Sequence, residues 1–242
     1  MVAMLAPSFP IVFSYPEIIG KLKRLGFQFV VEVSLGADET NKHLLNLLKQ
    51  NPKARFITSP CASFKGIIKT RYPNLVKYLT PIDSPMIYIA RIVKEKWKDC
   101  QPVFIGPCFA KKLEAKDYPE LDILVLTFKE LEEVFKELNL NDQDDDKNHS
   151  FDLEFLGTRL YSVSGGLSQS SNLQIDLTEA ELQVVSGPKN CELALENFEK
   201  NHLVRLLDIL YCEGGCISGS GIESSLGLAE RREKIISFWR ES

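Results

Sequence analysis

The sequence predicts an α/β fold in which parallel sheets are covered by helices on both faces. Apolar, strand-like runs alternate with segments of helical spacing along most of the chain, as expected for parallel sheets with crossover helices. The 242 residues are 44% hydrophobic, enough to form one large domain or two small lobes. No internal repeat, low-complexity tract or proline-rich linker divides the chain.

The first half of the chain alternates regularly between the two element types. Residues 2–5 predict a strand, and a helix follows from about Pro16, where proline fits a first turn, to Gly26. Residues 27–33 alternate and are rich in β-branched and aromatic residues, which indicates a strand. The same patterns predict helices at 38–50, 64–69, 85–97 and 128–138, and strands at 55–57, 103–105 and 123–126.

Signals in the second half are weaker. Residues 139–150 are polar and acidic with no apolar period, so we expect a solvated loop. Gly165 and Gly166 predict a turn into a short helix. The remaining predicted elements are strands at 182–185 and 206–211 and helices at 190–200 and 222–239.

Charge and hydropathy exclude some classes of partner. The net charge of −4 and pI of about 5.6 give no basic footprint for nucleic acid. The apolar opening segment, residues 1–13, is too short for a membrane span and lacks the features of a signal peptide. We therefore expect a cytoplasmic protein that binds neither nucleic acid nor membrane. In such a chain, six cysteines indicate metal binding or scattered core thiols rather than disulfides.

Four of the six cysteines lie at or just beyond predicted strand ends. Cys61, Cys108 and Cys212 each follow a strand, and Cys216 comes four residues after Cys212. Because the carboxyl ends of parallel strands meet at one edge, these thiols could converge on one point. Four thiolates suit zinc or an iron–sulfur cluster, since both accept soft sulfur ligands.

The surroundings of Cys212 and Cys216 favour a cluster over zinc. Four glycines follow Cys212 within ten residues, and we expect them to let the backbone turn tightly and approach a bulky inorganic core. The paired C-x2-C knuckles of zinc ribbons do not occur in this chain. Burial as ordinary core thiols is the alternative for each cysteine. We assign Cys100 and Cys191 to that structural or free class.

Three segments together resemble the cysteine motifs of the iron-only hydrogenase large subunit, C-terminal domain family. They are Thr58-Ser59-Pro60-Cys61, the stretch 106–114 (GPCFAKKLE), and Cys212-Glu213-Gly214-Gly215-Cys216 with the glycines that follow. Their order and spacing cover nearly the whole chain. The resemblance implies two lobes, each with a small, mainly parallel sheet flanked by helices, and an iron–sulfur site in the cleft between them.

The resemblance also implies roles for individual residues. Cys61, Cys108, Cys212 and Cys216 would ligate a 4Fe–4S cluster. In catalytic members this cluster belongs to an H-cluster, whose fourth cysteine also bridges to a di-iron unit with carbonyl and cyanide ligands. Cys216 matches that cysteine. Lys111 matches the lysine that donates to a cyanide, and is the one candidate catalytic residue.

The proton path of the family is changed in this sequence. Pro60, which has no proton to give, replaces the proton-shuttling cysteine, and Gly106 replaces the methionine beside the di-iron unit. Met86 and His43 fall where the family has a glutamine and a relay glutamate. Loss of a positioned acid–base group typically lowers a rate by a factor of about 10²–10⁴.

These motif variants resemble a sensory subgroup whose members are often fused to ferredoxin-like, PAS or kinase regions. We expect residues 1–242 to form a single hydrogenase-like domain with none of those modules. The favoured function is redox or hydrogen sensing, or electron transfer, by a 4Fe–4S protein with weak or no hydrogen turnover. It would act with a redox or signalling protein partner, with H2 as a further candidate ligand.

Two alternatives stay open. The first is a minimal iron-only hydrogenase, which interconverts protons and H2 through an unusual proton route. The second is an α/β binding protein without metal, which would be colourless when purified without oxygen.

Overall fold

Two parallel sheets form the framework of the protein. The computed structural model describes residues 1–58 and 60–240. The first sheet has the order β2-β1-β4-β5 and the second β3-β7-β6, and all neighbouring strands are parallel. The strands are β1 (Val2–Leu5), β2 (Phe29–Glu32), β3 (Phe56–Ile57), β4 (Pro102–Gly106), β5 (Leu124–Thr127), β6 (Leu182–Ser186) and β7 (Leu206–Leu210). The α/β class and the two-sheet architecture are confirmed.

Helices follow most strands and cover the sheets. They are α1 (Glu17–Arg24), α2 (Ser34–Gln50), α3 (Ala62–Arg71), α4 (Pro85–Lys96), α5 (Lys111–Lys116), α6 (Phe128–Glu137), α7 (Gly166–Ser170), α8 (Leu173–Asp176), α9 (Pro188–Phe198) and α10 (Leu228–Arg240). Helix α2 begins four residues earlier than its apolar period indicates, and α10 begins six residues later than predicted. Helices α5 and α8 were not predicted, because six and four residues are too few to show a helical period.

Strand order places an opening at the carboxyl edge of the first sheet. The chain moves from β1 to β2 on one side and to β4 on the other, so the direction of winding reverses between β1 and β4. Ligand sites of open α/β sheets lie at such reversal points. Strands β1, β4 and β7 are buried along their whole length, so the segments that follow them are held on rigid elements.

The acidic segment 139–150 is not simply a solvated loop. Residues Asp144–Asn148 form a 3-10 helix, and Asp146 within it is only 1% exposed. Its carboxylate accepts two hydrogen bonds from the Arg24 guanidinium, at 2.9 and 2.7 Å. These bonds hold the pKa of Asp146 below its ordinary value. The expectation was wrong here because the partner lies on α1, 122 residues away in the chain.

In the part of the chain that the structure describes, no helix is both long enough and apolar enough to cross a membrane.

Candidate metal centre

The four predicted ligands lie beyond the carboxyl ends of three parallel strands. Cys61 is the residue before α3, shortly after β3, and Cys108 lies two residues beyond β4. Cys212 lies two residues beyond β7, and Cys216 begins the 3-10 turn Cys216–Ser218. All four are half-buried free thiols. Ser59, in the first cysteine segment, lies outside the described residues.

The four sulfur atoms lie within electrostatic range of one another. Burial raises the pKa of Cys216 well above its ordinary value, and the charges of the other three thiolates raise it further. Burial likewise raises the pKa of Cys212 to about 11, with added contributions from Cys61 and Cys108. Burial also raises the pKa of Cys61, and Cys108 adds to that effect. Every pair among the four is therefore coupled, as expected for thiols gathered around one site.

The described thiols are not close enough together to hold a single metal ion. No three His, Cys, Asp or Glu side chains in residues 1–58 and 60–240 are close enough to hold one metal ion. Sulfur ligands of a cubane bind different iron atoms and lie farther apart than the ligands of one zinc ion. Backbone N–H groups of Tyr211 and Phe64 oppose the effect of burial at Cys61 by stabilising its thiolate. Such N–H contacts to sulfur also tune iron–sulfur clusters.

Contacts between the chain segments hold the ligands in place. The Ser63 Oγ atom, in the first turn of α3, lies 3.8 Å from the Cys108 Sγ atom. A Cβ atom on Gly219 would lie 2.3 Å from the Pro107 carbonyl oxygen. A Cβ atom on Gly221 would lie 2.7 Å from the Thr127 side chain. These two glycines allow close packing against protein, rather than the expected approach to an inorganic core.

Lys111 is buried beside the thiols and is paired with Glu114. Its Nζ atom donates to the Glu114 carboxylate at 2.5 Å and to the Pro60 carbonyl at 3.1 Å. The Ser84 hydroxyl donates to the same carboxylate oxygen of Glu114 at 3.1 Å. Burial, the largest single effect, lowers the pKa of Lys111, but the charge and hydrogen bond of Glu114 together with the charges of Cys108 and Cys61 outweigh it, so the net pKa is raised. Lys111 is therefore a charged ammonium that also faces the Cys61 and Cys108 sulfurs.

Glu114 had no predicted role. Its spacing of three residues from Lys111 on a short helix is the signal that could have identified this ion pair.

A small cavity lies beside Cys216 and Lys111. Its volume is about 80 Å³, and its walls are mainly apolar, with Met86, Phe104 and four prolines (Pro7, Pro60, Pro85 and Pro107). The hydroxyls of Ser8 and Ser162 also line it, and both are buried without a hydrogen-bond partner in the described part of the chain. This volume exceeds the roughly 10–15 Å³ needed to hold a water molecule.

The remaining candidates lie outside the cavity. His43 stacks on Tyr88, with ring centroids 4.9 Å apart and planes 12° from parallel. The Cys100 thiol donates to the Gln28 side chain at 3.2 Å. The buried Cys191 thiol donates to the Leu210 carbonyl at 3.4 Å, so its hydrogen already has a partner within the protein.

Comparison with known proteins identifies the family. Residues 1–220 match the family model described as "Iron only hydrogenase large subunit, C-terminal domain". The chain belongs to this family. Solved structures of [FeFe]-hydrogenase HydA1 variants from Chlamydomonas reinhardtii share the fold: one has a TM-score of 0.74 at 18% sequence identity and covers 97% of this chain and 83% of its own. The structure of HydA(deltaEFG) covers 97% of this chain and 83% of its own, with a TM-score of 0.72.

Two relatives have names that indicate different functions. The NADP-reducing hydrogenase subunit HndD of Solidesulfovibrio fructosivorans is 22% identical over 85% of this chain and 45% of its own length. The probable cytosolic Fe-S cluster assembly factor oxy-4 of Caenorhabditis elegans is 23% identical over 88% of this chain and 59% of its own length. The chain therefore spans about half the length of the curated relatives it matches.

The described residues supply a donor set for one of the family's two metal groups. Four mutually coupled thiols, with stabilising N–H groups at Cys61, form a donor set suited to a 4Fe–4S cluster. A di-iron unit with its carbonyl and cyanide ligands would have to lie in the cavity beside Cys216. The Phe104 ring fills the space beside Gly106, since a Cβ atom there would lie 2.4 Å from it.

Proposed function

We propose that this hydrogenase-family protein binds one 4Fe–4S cluster and acts through changes in the cluster's redox state. The ligands would be Cys61, Cys108, Cys212 and Cys216. The role would be electron transfer, or sensing of redox state or H2, with weak or no hydrogen turnover and with a redox or signalling protein as partner. The observation that carries the proposal is the convergence of four half-buried thiols just beyond the carboxyl ends of β3, β4 and β7.

Three features of the cavity argue against efficient hydrogen turnover. Pro60 lines the cavity at the position of the family's proton-shuttling cysteine, and proline has no ionisable proton. The Phe104 ring occupies the space beside Gly106, the position of the family's methionine next to the di-iron unit. The charge of Lys111 is already balanced by Glu114, so this lysine has less to offer a cyanide ligand than an unpaired one.

Lys111 has an electrostatic role in this proposal. A buried ammonium group near the cluster favours the reduced state, which carries one more negative charge than the oxidised state. Glu114 moderates this effect and holds the Lys111 side chain in position through the 2.5 Å contact. We expect Lys111→Met to lower the midpoint potential of the cluster while iron content stays unchanged.

Anaerobic purification tests the cluster directly. We expect a brown protein with about four irons and four sulfides per chain and an electron paramagnetic resonance signal after reduction. Serine at Cys61, Cys108, Cys212 or Cys216 should lower the iron content, whereas Cys191→Ser, at a buried thiol outside the ligand set, serves as the control. A colourless unmodified protein, together with four cysteine-to-serine variants that all fold normally, would show instead that this is a binding protein without metal.

A minimal hydrogenase is the second candidate, because one hydrogen-bonded chain reaches the cavity. Ser84 donates to Glu114, which accepts from Lys111 at the cavity wall. This chain could carry protons in place of the missing cysteine. Infrared bands of metal carbonyls and cyanides after expression with the maturation proteins, with H2 evolution that Glu114→Gln abolishes, would establish this function. Absence of those bands leaves the 4Fe–4S protein.

We also propose a cytoplasmic location. The support comes from relatives, since the oxy-4 protein and a NAR1 protein of Yarrowia lipolytica are both named cytosolic Fe-S cluster assembly factors. Fractionation of cells that express the tagged protein tests this location.

A further inference from the structure

A second cavity lies between α1, α6 and the segment 139–142. Its volume is about 420 Å³, which is within the range of small-molecule sites. It shares no lining residue with the cavity beside Cys216, so the function proposed above does not account for it. Its walls include five apolar side chains, which are Val12, Phe13, Ile18, Phe135 and Leu140.

Glu17 lines this cavity with one carboxylate oxygen unsatisfied. Its Oε2 atom is buried and accepts no hydrogen bond from the described residues. Glu17 begins α1, but the N–H groups of the two residues that follow it donate to the Ser14 and Pro16 carbonyls instead. Because a buried charged oxygen without a donor is unfavourable, we expect a donor from outside the chain at this position.

The usual helix partner of Glu17 is engaged elsewhere. Lys21 lies four residues further along α1, a spacing at which Glu and Lys side chains can pair. Its ammonium group instead binds Asp142 at 2.9 Å and lies 4.6 Å from the centre of the Phe135 ring. In the part of the chain that the structure describes, Glu17 therefore forms no ion pair.

A second carboxylate, that of Glu132, lines the cavity from α6. Burial raises the pKa of Glu132, and Lys136, Lys129 and Lys21 oppose this effect without forming an ion pair with it. Lys21 is already paired, and Lys129 lies 3.8 Å from the Glu223 carboxylate. The cavity thus combines apolar walls with two carboxylates that lack a close cation among the described residues.

We propose that this cavity binds a small aliphatic ammonium ion, with a diamine binding more tightly than a monoamine. The Glu17 Oε2 atom would accept a hydrogen bond from one ammonium group, and the Glu132 carboxylate would attract the second. The Phe13 and Leu140 side chains would pack against the alkyl chain. The proposal goes beyond the function proposed above and does not depend on the cluster.

Other classes of ligand suit the cavity less well. No three His, Cys, Asp or Glu side chains in residues 1–58 and 60–240 are close enough to hold one metal ion. An anion would be repelled by Glu17 and Glu132 on the same walls. A hydrocarbon body with a cationic end matches both the apolar walls and the unpaired carboxylates.

Isothermal titration calorimetry of the whole chain, as purified and in an amine-free buffer, tests the site. The probes are 1,4-diaminobutane, n-butylamine, sodium butyrate and magnesium chloride. The test variants are Glu17→Gln and Glu132→Gln, which remove a charge and keep the size of the side chain. The matched control is Glu133→Gln, which makes the same change at an exposed neighbour outside the cavity.

We expect 1,4-diaminobutane to bind with a dissociation constant below about 1 mM and n-butylamine to bind more weakly. Butyrate and magnesium should give no binding heat. Glu17→Gln should weaken diamine binding by about tenfold or more, because a charge-assisted hydrogen bond is lost. Glu132→Gln should weaken it by a smaller factor, and Glu133→Gln should change it less than about twofold.

Thermal unfolding separates loss of the site from loss of the fold. Without ligand, Glu17→Gln should unfold at the same temperature as wild type or higher, because it removes a buried unpaired charge. Diamine should raise the Tm of wild type and of Glu133→Gln, but not that of Glu17→Gln. Absence of binding by both amines would overturn the proposal, as would equal diamine affinity in test and control variants. Tighter binding of magnesium or butyrate than of diamine would also overturn it.

Discussion

Substitution of Gly215 by alanine tests the close packing that places Cys216. Gly215 has φ = +104°, and a Cβ atom there would lie 2.6 Å from the Ser162 carbonyl oxygen and 2.7 Å from the Ser164 nitrogen. Both contacts are with backbone atoms, which move less readily than the end of a side chain. Alanine at position 215 is therefore destabilising for two separate reasons, which are the strained backbone conformation and the steric overlap of its Cβ atom with backbone atoms of residues 162–164.

Substitution of Gly26 measures the effect of backbone conformation without that of steric overlap. Its φ is +105°, but nothing lies within 4 Å of a Cβ atom built there. Alanine in this backbone region costs about 1–3 kcal/mol at either position. Overpacking against fixed neighbours costs about 1–3 kcal/mol more. We expect Gly26→Ala to lower the free energy of unfolding by about 1–3 kcal/mol, and Gly215→Ala by about 2–6 kcal/mol.

The assay combines urea denaturation of the cluster-free protein with iron content after anaerobic reconstitution. Gly215→Ala should bind less iron, because the backbone shift moves the neighbouring Cys216 sulfur, whereas Gly26→Ala should reconstitute fully. Equal loss of stability in the two variants, together with equal iron content, would refute the close approach of the Gly215 backbone to the 162–164 segment.

Three further variants test other contacts. Arg159→Met leaves Glu32, which is 0% exposed, without its ion-pair partner, and should cost about 3–5 kcal/mol in urea denaturation. Asp146→Asn should lower the free energy of unfolding by about 1.5–3 kcal/mol at neutral pH. Because Arg24 lowers the pKa of Asp146, this loss of stability relative to wild type should persist above about pH 4 and disappear at lower pH, where the carboxylate is protonated in both folded and unfolded protein. Cys191→Ser should keep full iron and sulfide content, because its thiol bonds to a backbone carbonyl.

The site was predictable from sequence to the extent that strand ends locate it. Cys61, Cys108 and Cys212 each follow a short apolar run, and parallel strands bring such ends to one edge. A local sequence pattern can indicate that these runs form strands of parallel sheets. It cannot indicate which sheet each strand joins, since pairing between β3 and β7 links residues about 150 positions apart.

Features that depend on distant partners escaped prediction. The burial of Asp146 depends on Arg24 in another helix, and nothing in the local acidic composition indicates it. The contacts of Gly219 and Gly221 depend on Pro107 and Thr127, which come from the first sheet. A glycine run indicates only that some close approach occurs, and the structure shows that these two glycines approach protein backbone and side chain.

The short separation of Cys212 and Cys216 in the sequence follows from a crossing of the chain between the two lobes, which local sequence patterns do not indicate. Cys212 follows the second sheet, whereas Ile217 is buried in the core of the first sheet, so the chain crosses between the lobes within these few residues. Gly214 and Gly215 both have positive φ values, of 70° and 104°, which allow this sharp change of direction. Cys212 and Cys216 therefore lie on either side of the point where the chain crosses between the lobes.

Ligands placed in this way would make the proposed cluster a link between the two lobes. Cys61 and Cys212 extend from the second sheet and Cys108 from the first, so one 4Fe–4S cluster bound to all of them would bridge both. A group that binds only the native arrangement stabilises it by mass action. We expect the cluster-loaded protein to unfold in one transition at a higher urea concentration than the cluster-free protein, followed by circular dichroism. Cys108→Ser should remove most of this gain, because it breaks the bond to the first sheet, and an undiminished gain would show that the cluster does not bridge the lobes.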